Sequence, residues 1–361
     1  MRSSWPLLVL VLRKERTLAA LNQAEWDLLI RQAKRSQLAA KIYYRAESEN
    51  LLTSLSHGVL RHLQSAKVQA DKQYRDFLWE IDCLKKAFSQ AVSGAILLKG
   101  AAYAAGEFPP YKGRLFSDID ILVPFEFIPA IEQQLLIHGW VSAKQDAYDQ
   151  KYYRQWMHEI PPLTHIKRGS VIDLHHNILP RTATACPDAD LLIKSAVPLT
   201  GVNSNLQVLS PLDRVIHSAT HLFYEGELEH GLRDLVDLDA LISAFDEQER
   251  LQLVDRAFML GLQKPVYYGM RYLQLILNAQ GLTEALGKMT NAGPVISGVW
   301  LMDALFLRAL MPDHLSCEDK WTPMARWMLY IRSHYLRMPL HLLFPHLLRK
   351  VWMRLLGKDR H

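Results

Sequence analysis

The sequence predicts an α+β fold in which a small mixed β-sheet core lies between an N-terminal and a C-terminal helical region. Three observations predict it: apolar residues recur at helical spacing in the first part of the chain, short β-like runs and a hairpin follow, and helical spacing returns after Ser210. The predicted regions are residues 1–92, 93–208 and 209–361, and a chain of 361 residues is long enough for all three.

The N-terminal region is predicted to be helical throughout. The run WPLLVLVL at residues 5–12 is too short to span a bilayer and is followed at once by Arg13 and Lys14. We therefore expect it to form the first turns of a buried helix. Trp26 and Leu29 continue the helical spacing.

The central region contains the β-like runs. AILLK at 95–99 and DIDILVP at 118–124 are typical of buried strands, and an amphipathic helix that ends in a glycine follows at 125–139. LTHIKRGSVIDLHHNI at 163–178 predicts a hairpin that turns at its Gly-Ser pair.

The C-terminal region begins at SPLD, where Ser210 is a helix cap, followed by proline and then an acid in the first turn. Further helices are expected to the end of the chain, with interruptions near Pro265, Pro312 and Pro339.

The last 42 residues form a basic tail. Residues 320–361 contain nine Lys or Arg and one acid, which gives +8, whereas residues 1–319 total −3. Such a tail can bind an acidic partner or a membrane surface; nucleic acid is less favoured because no RRM or KH motif is present. The alternative is a helix pair with a solvated basic face. This alternative is favoured, because charge alone is a weak indication of function. Trp327, Ile331 and Tyr335 lie at helical spacing in the tail and are expected to be core.

The composition is that of an ordinary globular protein, with 49% hydrophobic and 22% charged residues. Its three cysteines, Cys83, Cys186 and Cys317, are far apart and form no CxxC pair. This argues against a disulfide framework or a zinc ribbon and predicts a cytoplasmic location.

Two aspartates at the start of the second β-like run point to a metal. Residues two apart on a strand share a face, so Asp118 and Asp120 project the same way while Ile119 and Ile121 face the core. Two like charges held together need a cation or a shared proton. A lone DxD is common in proteins, so the pair alone would mean little.

The run VIDLHH at 171–176 offers a third acid. If this strand lies beside DIDILV, then Asp173 joins Asp118 and Asp120 in a cluster that can hold two cations about 3.5–4 Å apart and assist in-line phosphoryl transfer. Oxygen ligands favour Mg²⁺ or Mn²⁺ over zinc. Asp173 would also be placed to take a proton from an acceptor hydroxyl.

Residues suited to phosphate flank the acids. Gly100 lies where a strand ends and a helix begins, which permits close approach of a ligand, and Lys99 adds a positive charge. Arg114 precedes the acids by four residues and its planar guanidinium suits phosphate, although an ion pair with one of the aspartates is the plain alternative. Ser117 lies directly before the pair.

Histidines gather in two places. Asp213, His217, His221 and Glu225 fall at steps of four on one predicted helix and therefore share a face. A polar helical face needs no metal, but His217 and His221 are candidates to line an acceptor site, as is His175 beside Asp173.

The order LLKG, then RxxxDIDILV, then VIDLHH resembles the uncharacterised nucleotidyltransferase family of the polymerase-β-like nucleotidyltransferase superfamily. The stretches SPLDRVIHSATHLFYE and LRDLVDLDALI are similar to its helical region. Two features depart from the broader superfamily: Gly100 is followed by alanine, and FPPYKG is inserted before Arg114.

The resemblance implies transfer of a nucleoside monophosphate from an NTP, with ATP as the expected co-substrate, to a hydroxyl with release of pyrophosphate. Asp118, Asp120 and Asp173 would be the catalytic and metal-binding acids, and Lys99, Gly100, Arg114 and Ser117 would bind the nucleotide. The acceptor is a small molecule, sugar, peptide or protein. Two alternatives remain: a non-catalytic nucleotide-binding or regulatory protein of the same fold, and an RNA-directed nucleotidyltransferase.

Overall fold

A computed structural model of the chain describes residues 5–88, 94–142, 146–200, 206–224, 226, 228–292 and 298–339. Its helices are α1 (Leu7–Leu12), α2 (Gln23–Arg35), α3 (Ala39–Ser48), α4 (His57–Phe88), α5 (Lys99–Ala105), α6 (Ile128–Ile137), α7 (Ala147–Trp156), α8 (Ala189–Lys194), α9 (Pro211–Tyr224), α10 (Gly231–Ile242), α11 (Glu247–Met259), α12 (Gln263–Leu277), α13 (Thr283–Ala292), α14 (Val299–Ala309) and α15 (Thr322–Arg337). Its strands are β1 (Ile96–Leu97), β2 (Asp118–Leu122), β3 (Trp140–Ser142), β4 (Leu163–His165), β5 (Val171–His175), β6 (Val197–Pro198) and β7 (Gln207–Val208).

The strands form one mixed sheet in the order β3-β4-β5-β2-β1-β7-β6, flanked by helices, which confirms the predicted α+β fold. Strand β2 lies in the middle, antiparallel to β1 and parallel to β5. In the β2–β5 pair Asp120 lies opposite Asp173. The sheet register therefore brings together acids that are more than 50 residues apart in the chain.

The N-terminal prediction is confirmed for the described residues. Leu8, Val9 and Val11 of α1 are buried, as expected of an apolar run that begins a globular core. Helix α4 packs against α3 and also against α5, which leads away from β1.

The central predictions are confirmed in most details. Strands β4 and β5 pair as an antiparallel hairpin across the predicted Gly-Ser turn. Gly139 ends the α6 segment with φ +93°, a conformation that favours glycine. The first strand is shorter than predicted. The run AILLK is a strand only at Ile96 and Leu97, and Lys99 is already the first residue of α5.

Helix α9 connects the C-terminal region to the sheet. It begins as predicted, with the Asp213 amide donating to Ser210 Oγ at 3.2 Å. It packs against α10, α11 and α12 and also against α5. The buried apolar residues form one continuous cluster from Leu8 to Leu329, and the division into three regions stays a prediction.

The described part of the tail differs from expectation. Trp327 and Tyr335 of α15 are 59% and 55% exposed, so the prediction that this stripe is core was wrong. Arg326 pairs with Asp313 and Glu318, which is the behaviour of a solvated, ion-paired helix. Residues 340–361 lie outside the described residues. Within the described parts of the chain no helix has both the length and the apolar character needed to cross a membrane.

Candidate metal centre

Asp118 and Asp120 on β2 and Asp173 on β5 form one group, here called the carboxylate cluster. Carboxylate oxygens of the three side chains lie within 4.8 Å of one another. Asp120 is buried, whereas Asp118 and Asp173 are half-buried. The alternation of side chains along each strand and the parallel register of β2 and β5 produce this arrangement.

Asp120 is held in its charged form. Burial disfavours the carboxylate, but Lys99 Nζ lies 3.4 Å from Asp120 Oδ1 and His175 Nε2 lies 2.9 Å from the same atom. These two groups hold the pKa of Asp120 well below its ordinary value. The same contact with Asp120, together with Glu159, outweighs burial and raises the pKa of His175.

Asp173 is in the opposite situation. Burial, together with the negative charges of Asp120 and Glu159, raises its pKa to about 8. Its Oδ1 atom is buried and has no hydrogen-bond partner among the described residues. An acceptor oxygen without a donor, next to two further carboxylates, is costly unless a cation or a proton binds there. The residues present therefore fit a divalent cation with oxygen ligands.

The predicted nucleotide-binding residues differ in their contacts with the carboxylate cluster. Lys99 has φ +40°, an uncommon conformation for a residue with a side chain, and its ammonium group points to Asp120. The Ser117 hydroxyl is exposed and donates to Asp118 Oδ1. Gly100 is buried, and a methyl group at this position would come within 2.9 Å of the Arg114 guanidinium.

Arg114 forms its ion pair with Asp237 of α10. Its Nε donates to Asp237 Oδ2 at 2.7 Å, and its guanidinium also packs over the rings of Tyr103 and Phe116. Lys41 Nζ lies 3.5 Å from the other Asp237 oxygen. The ion pair considered for Arg114 is present, but with an acid of α10 instead of the β2 pair; a contact with phosphate stays a prediction.

The two histidines of α9 lie near the carboxylate cluster, whereas Asp213 of the same helix does not. His217 is buried, and burial together with Lys99 lowers its pKa well below the ordinary value. His221 contributes to the low pKa of Asp120, so both histidines of α9 lie within electrostatic range of the carboxylate cluster. Asp213 does not face the cluster, because it pairs with Arg256 at 2.7 Å. Glu225 lies outside the described residues.

Two residues near the site were missed in the sequence. His158 and Glu159 precede β4, and Glu159 forms an isolated antiparallel bridge with His175. Ligand atoms of His158, Glu159 and His175 lie within 4.8 Å of one another. The only signal in the sequence is the adjacent His-Glu pair in a connecting segment, which has no distinctive spacing to a third residue.

A mixed sheet that carries an Asp-x-Asp pair on one strand and a third aspartate on its parallel neighbour is the arrangement that the resemblance to nucleotidyltransferases leads us to expect. Residues 22–278 match the family described as uncharacterised nucleotidyltransferase, and the chain belongs to that family. The matched segment runs from the start of α2 to the end of α12 and contains the whole sheet. No curated protein and no solved structure matches the chain. The family supports nucleotidyl transfer as the general class of activity.

Proposed function

We propose that the protein transfers a nucleoside monophosphate from an NTP to a hydroxyl acceptor, with Mg²⁺ or Mn²⁺ bound at the carboxylate cluster. The observation that carries the proposal is the buried, unpartnered Oδ1 of Asp173 beside Asp118 and Asp120. The fold alone would be kept by uncharged residues at these positions, and a repelling group of acids weakens it. Retaining all three is explained if the site binds cations.

Asp118, Asp120 and Asp173 would hold the cation through carboxylate oxygens, the ligand type that Mg²⁺ and Mn²⁺ prefer. When bound, the cation neutralises the carboxylates and stabilises the negative charge that develops on the transferring phosphoryl group. Asp120, which remains charged next to Lys99 and His175, is the ligand best prepared for this role.

Lys99 and Ser117 would contact the nucleotide. Lys99 has its ammonium group 3.4 Å from Asp120, so a phosphate bound beside Asp120 lies within its reach. Ser117 is exposed at the same edge and presents a hydroxyl. Gly100 would sit in the turn that approaches the phosphate, and Arg114, which is bonded to Asp237, would hold the segment that carries Ser117.

Asp173 is proposed as the proton acceptor. Before a cation binds, burial and the negative charges of Asp120 and Glu159 raise the pKa of this carboxyl to about 8, which favours uptake of a proton from the acceptor hydroxyl. The acceptor oxygen would attack the α-phosphorus of the NTP, its proton would pass to Asp173, and the bond to the leaving pyrophosphate oxygen would break. His175, His217 and His221 would line the acceptor side, since all three lie within electrostatic range of Asp120.

The acceptor is proposed to be a small molecule, a sugar, a peptide or a protein, and ATP is the proposed nucleotide. Two of the described basic side chains of the tail are engaged within the protein, which weakens the case for an RNA acceptor. Arg326 is ion-paired, and Arg332 donates to the backbone oxygen of Phe223 inside the fold.

Thermal shift tests nucleotide binding. We expect one NTP to stabilise the wild type in Mg²⁺ or Mn²⁺ but not in EDTA, and Asp118→Asn/Asp120→Asn to lose this stabilisation. The chain offers a matched control in Asp188 and Asp190, an exposed Asp-x-Asp pair at the start of α8; Asp188→Asn/Asp190→Asn keeps the helix cap and should behave as wild type. A folded wild type that responds to no nucleotide would favour the non-catalytic alternative.

Radiolabelled nucleotide then tests the reaction. Cell extract or purified protein fractions are incubated with the enzyme and with NTP labelled at either the α- or the γ-phosphate. Nucleotidyl transfer places the α-label on an acceptor and releases the γ-label as pyrophosphate. Transfer of the γ-label instead would identify phosphoryl transfer and contradict the proposal.

A further inference from the structure

The side chains of His158, Glu159 and His175, here called the histidine cluster, lie next to the carboxylate cluster but contain different ligand chemistry. Their ligand atoms lie within 4.8 Å of one another, and the rings of His158 and His175 have centroids 5.1 Å apart. In the proposed nucleotidyl transfer neither His158 nor Glu159 contacts the substrates or the cation of the carboxylate cluster.

His175 has one ring nitrogen engaged and the other open. Its Nε2–H donates to Asp120 Oδ1 at 2.9 Å, so in the neutral ring Nδ1 carries a lone pair. That Nδ1 atom is buried without a hydrogen-bond partner in the described structure, and Glu159 Oε2 lies 3.5 Å away. His158 Nδ1 is likewise buried without a hydrogen-bond partner.

This is the arrangement of a metal-binding histidine. A histidine that ligates a metal through one nitrogen donates its other N–H to a carboxylate, and this bond fixes both the tautomer and the orientation of the ring. Asp120 fills that supporting position for His175.

The backbone keeps the cluster in place. The His176 amide donates to the His158 carbonyl at 2.8 Å, and the Ile160 amide donates to the Leu174 carbonyl at 3.0 Å. These bonds fix the segment that carries His158 and Glu159 along the end of β5, so the three ligands do not depend on a free loop for their positions.

We propose that the histidine cluster is a second cation site, selective for a borderline divalent transition metal such as Zn²⁺. Two imidazoles and one carboxylate form a ligand set that zinc accepts with a fourth position left open, whereas Mg²⁺ prefers oxygen ligands alone. The two neighbouring clusters would thus take different metals by ligand type. The metal at the histidine cluster holds His175 with its proton on Nε2 and so orients Asp120. This inference does not rest on the proposed function.

Cobalt(II) is the probe, because its visible absorption distinguishes four- or five-coordinate nitrogen-containing sites from six-coordinate oxygen sites. The full chain, freed of metal by chelation, is titrated with Co²⁺ in the presence of excess Mg²⁺. We expect about one equivalent to bind with intense visible absorption and to be displaced by Zn²⁺.

Four variants assign the site. His158→Gln and Glu159→Gln should each weaken Co²⁺ binding at least about 10-fold. Glutamine has nearly the size of glutamate, so Glu159→Gln should leave the fold intact. His176→Gln is the matched control: its Nε2 is also buried and unpartnered, but its ring packs on Phe125 outside the cluster. Asp118→Asn/Asp173→Asn removes the carboxylate cluster and should keep the intense absorption.

Three results would overturn the proposal: no such absorption in folded wild type, equal binding by His158→Gln and Glu159→Gln, or loss of the absorption in Asp118→Asn/Asp173→Asn. The last would assign the metal to the carboxylate cluster. Failure of nucleotide binding alone would contradict the proposed function and leave the histidine cluster unaffected.

Discussion

Two clusters that each contain a buried aspartate have opposite charge balances. Asp237 is 2% exposed and contacts both Arg114 and Lys41, a group here called the Asp237 cluster. Asp120 is 3% exposed, but the carboxylate cluster sets three acids against Lys99, and Asp120 also contacts the ring of His175. The charge of Asp237 is thus neutralised by basic side chains of the fold, whereas the cluster around Asp120 keeps an excess of negative charge.

This difference indicates a structural role for the Asp237 cluster and a functional role for the carboxylate cluster. A buried acid with two cations ties α10 to α3 and to the segment that leads into β2, and removing either partner leaves an uncompensated charge. An excess of buried negative charge contributes nothing of this kind to folding. We therefore expect substitutions in the two clusters to affect different measurements.

The largest effect is expected on activity. Asp120→Asn keeps the shape of the side chain but removes the ligand that Lys99 and His175 hold charged. Loss of several kcal/mol of transition-state stabilisation corresponds to a fall in kcat/KM of about 10³-fold or more. The measurement is label transfer from the α-phosphate, with Asp188→Asn/Asp190→Asn as the control. Activity within a few fold of wild type would remove Asp120 from the reaction.

The next effect is on stability in the Asp237 cluster. Arg114→Met leaves the Asp237 carboxylate buried with only Lys41 nearby, and we expect the free energy of unfolding to fall by about 3–5 kcal/mol. Urea unfolding measures it. Arg114→Met/Asp237→Leu removes both charges and should recover part of the loss. If Arg114→Met were as stable as wild type, the ion pair would not support this segment.

The pH dependence of stability sharpens the comparison. The pKa of Asp173 is raised from 3.8 to about 8 in the fold, so the folded state binds more protons than the unfolded state between these values. The contribution of Asp173 to stability without metal then falls as pH rises from about 4 to about 8. Asp173→Asn removes this dependence, and we expect a gain in stability over wild type of about 1–3 kcal/mol at the upper end.

Urea unfolding of wild type and Asp173→Asn in EDTA at several pH values measures this difference. Burial lowers the pKa of His158 and His217, which gives a slope of the opposite sign, so the difference between the two proteins isolates Asp173. An equal pH profile for both would contradict the raised pKa. Mg²⁺ should reduce the difference, because cation binding displaces the proton.

Sequence predicted the carboxylate cluster better than its surroundings. Asp118, Asp120 and Asp173 follow from strand alternation and one assumed strand pair, since local periodicity fixes the face of each side chain. The partner of Arg114 could not be predicted in this way, because Asp237 lies 123 residues further along the chain and only tertiary packing brings the two together. His158 and Glu159 were missed for the same reason: their relation to His175 depends on a single bridge.

The apolar stripe on α15 shows another limit. Helical spacing correctly indicates that Trp327, Ile331 and Tyr335 share a face, but spacing cannot say whether another element covers that face. In the structure α15 packs on α14 and α9 through other residues, among them Ala325 and Leu329, and the aromatic side chains are exposed.

The smallest predicted effect tests whether the two clusters communicate through Gly100. A methyl group on Gly100 would lie 2.9 Å from Arg114 Nη1, and Arg114 cannot move away freely because Asp237 holds it. We expect Gly100→Ala to cost about 1 kcal/mol of stability and to weaken metal-dependent nucleotide binding, since Lys99 lies next to it. In an Arg114→Met background the extra cost should largely disappear, because the guanidinium that meets the methyl group is absent. Urea unfolding of the single and double variants measures this coupling. If the two costs add instead, Gly100 is needed for a local reason, and the clusters are independent of each other.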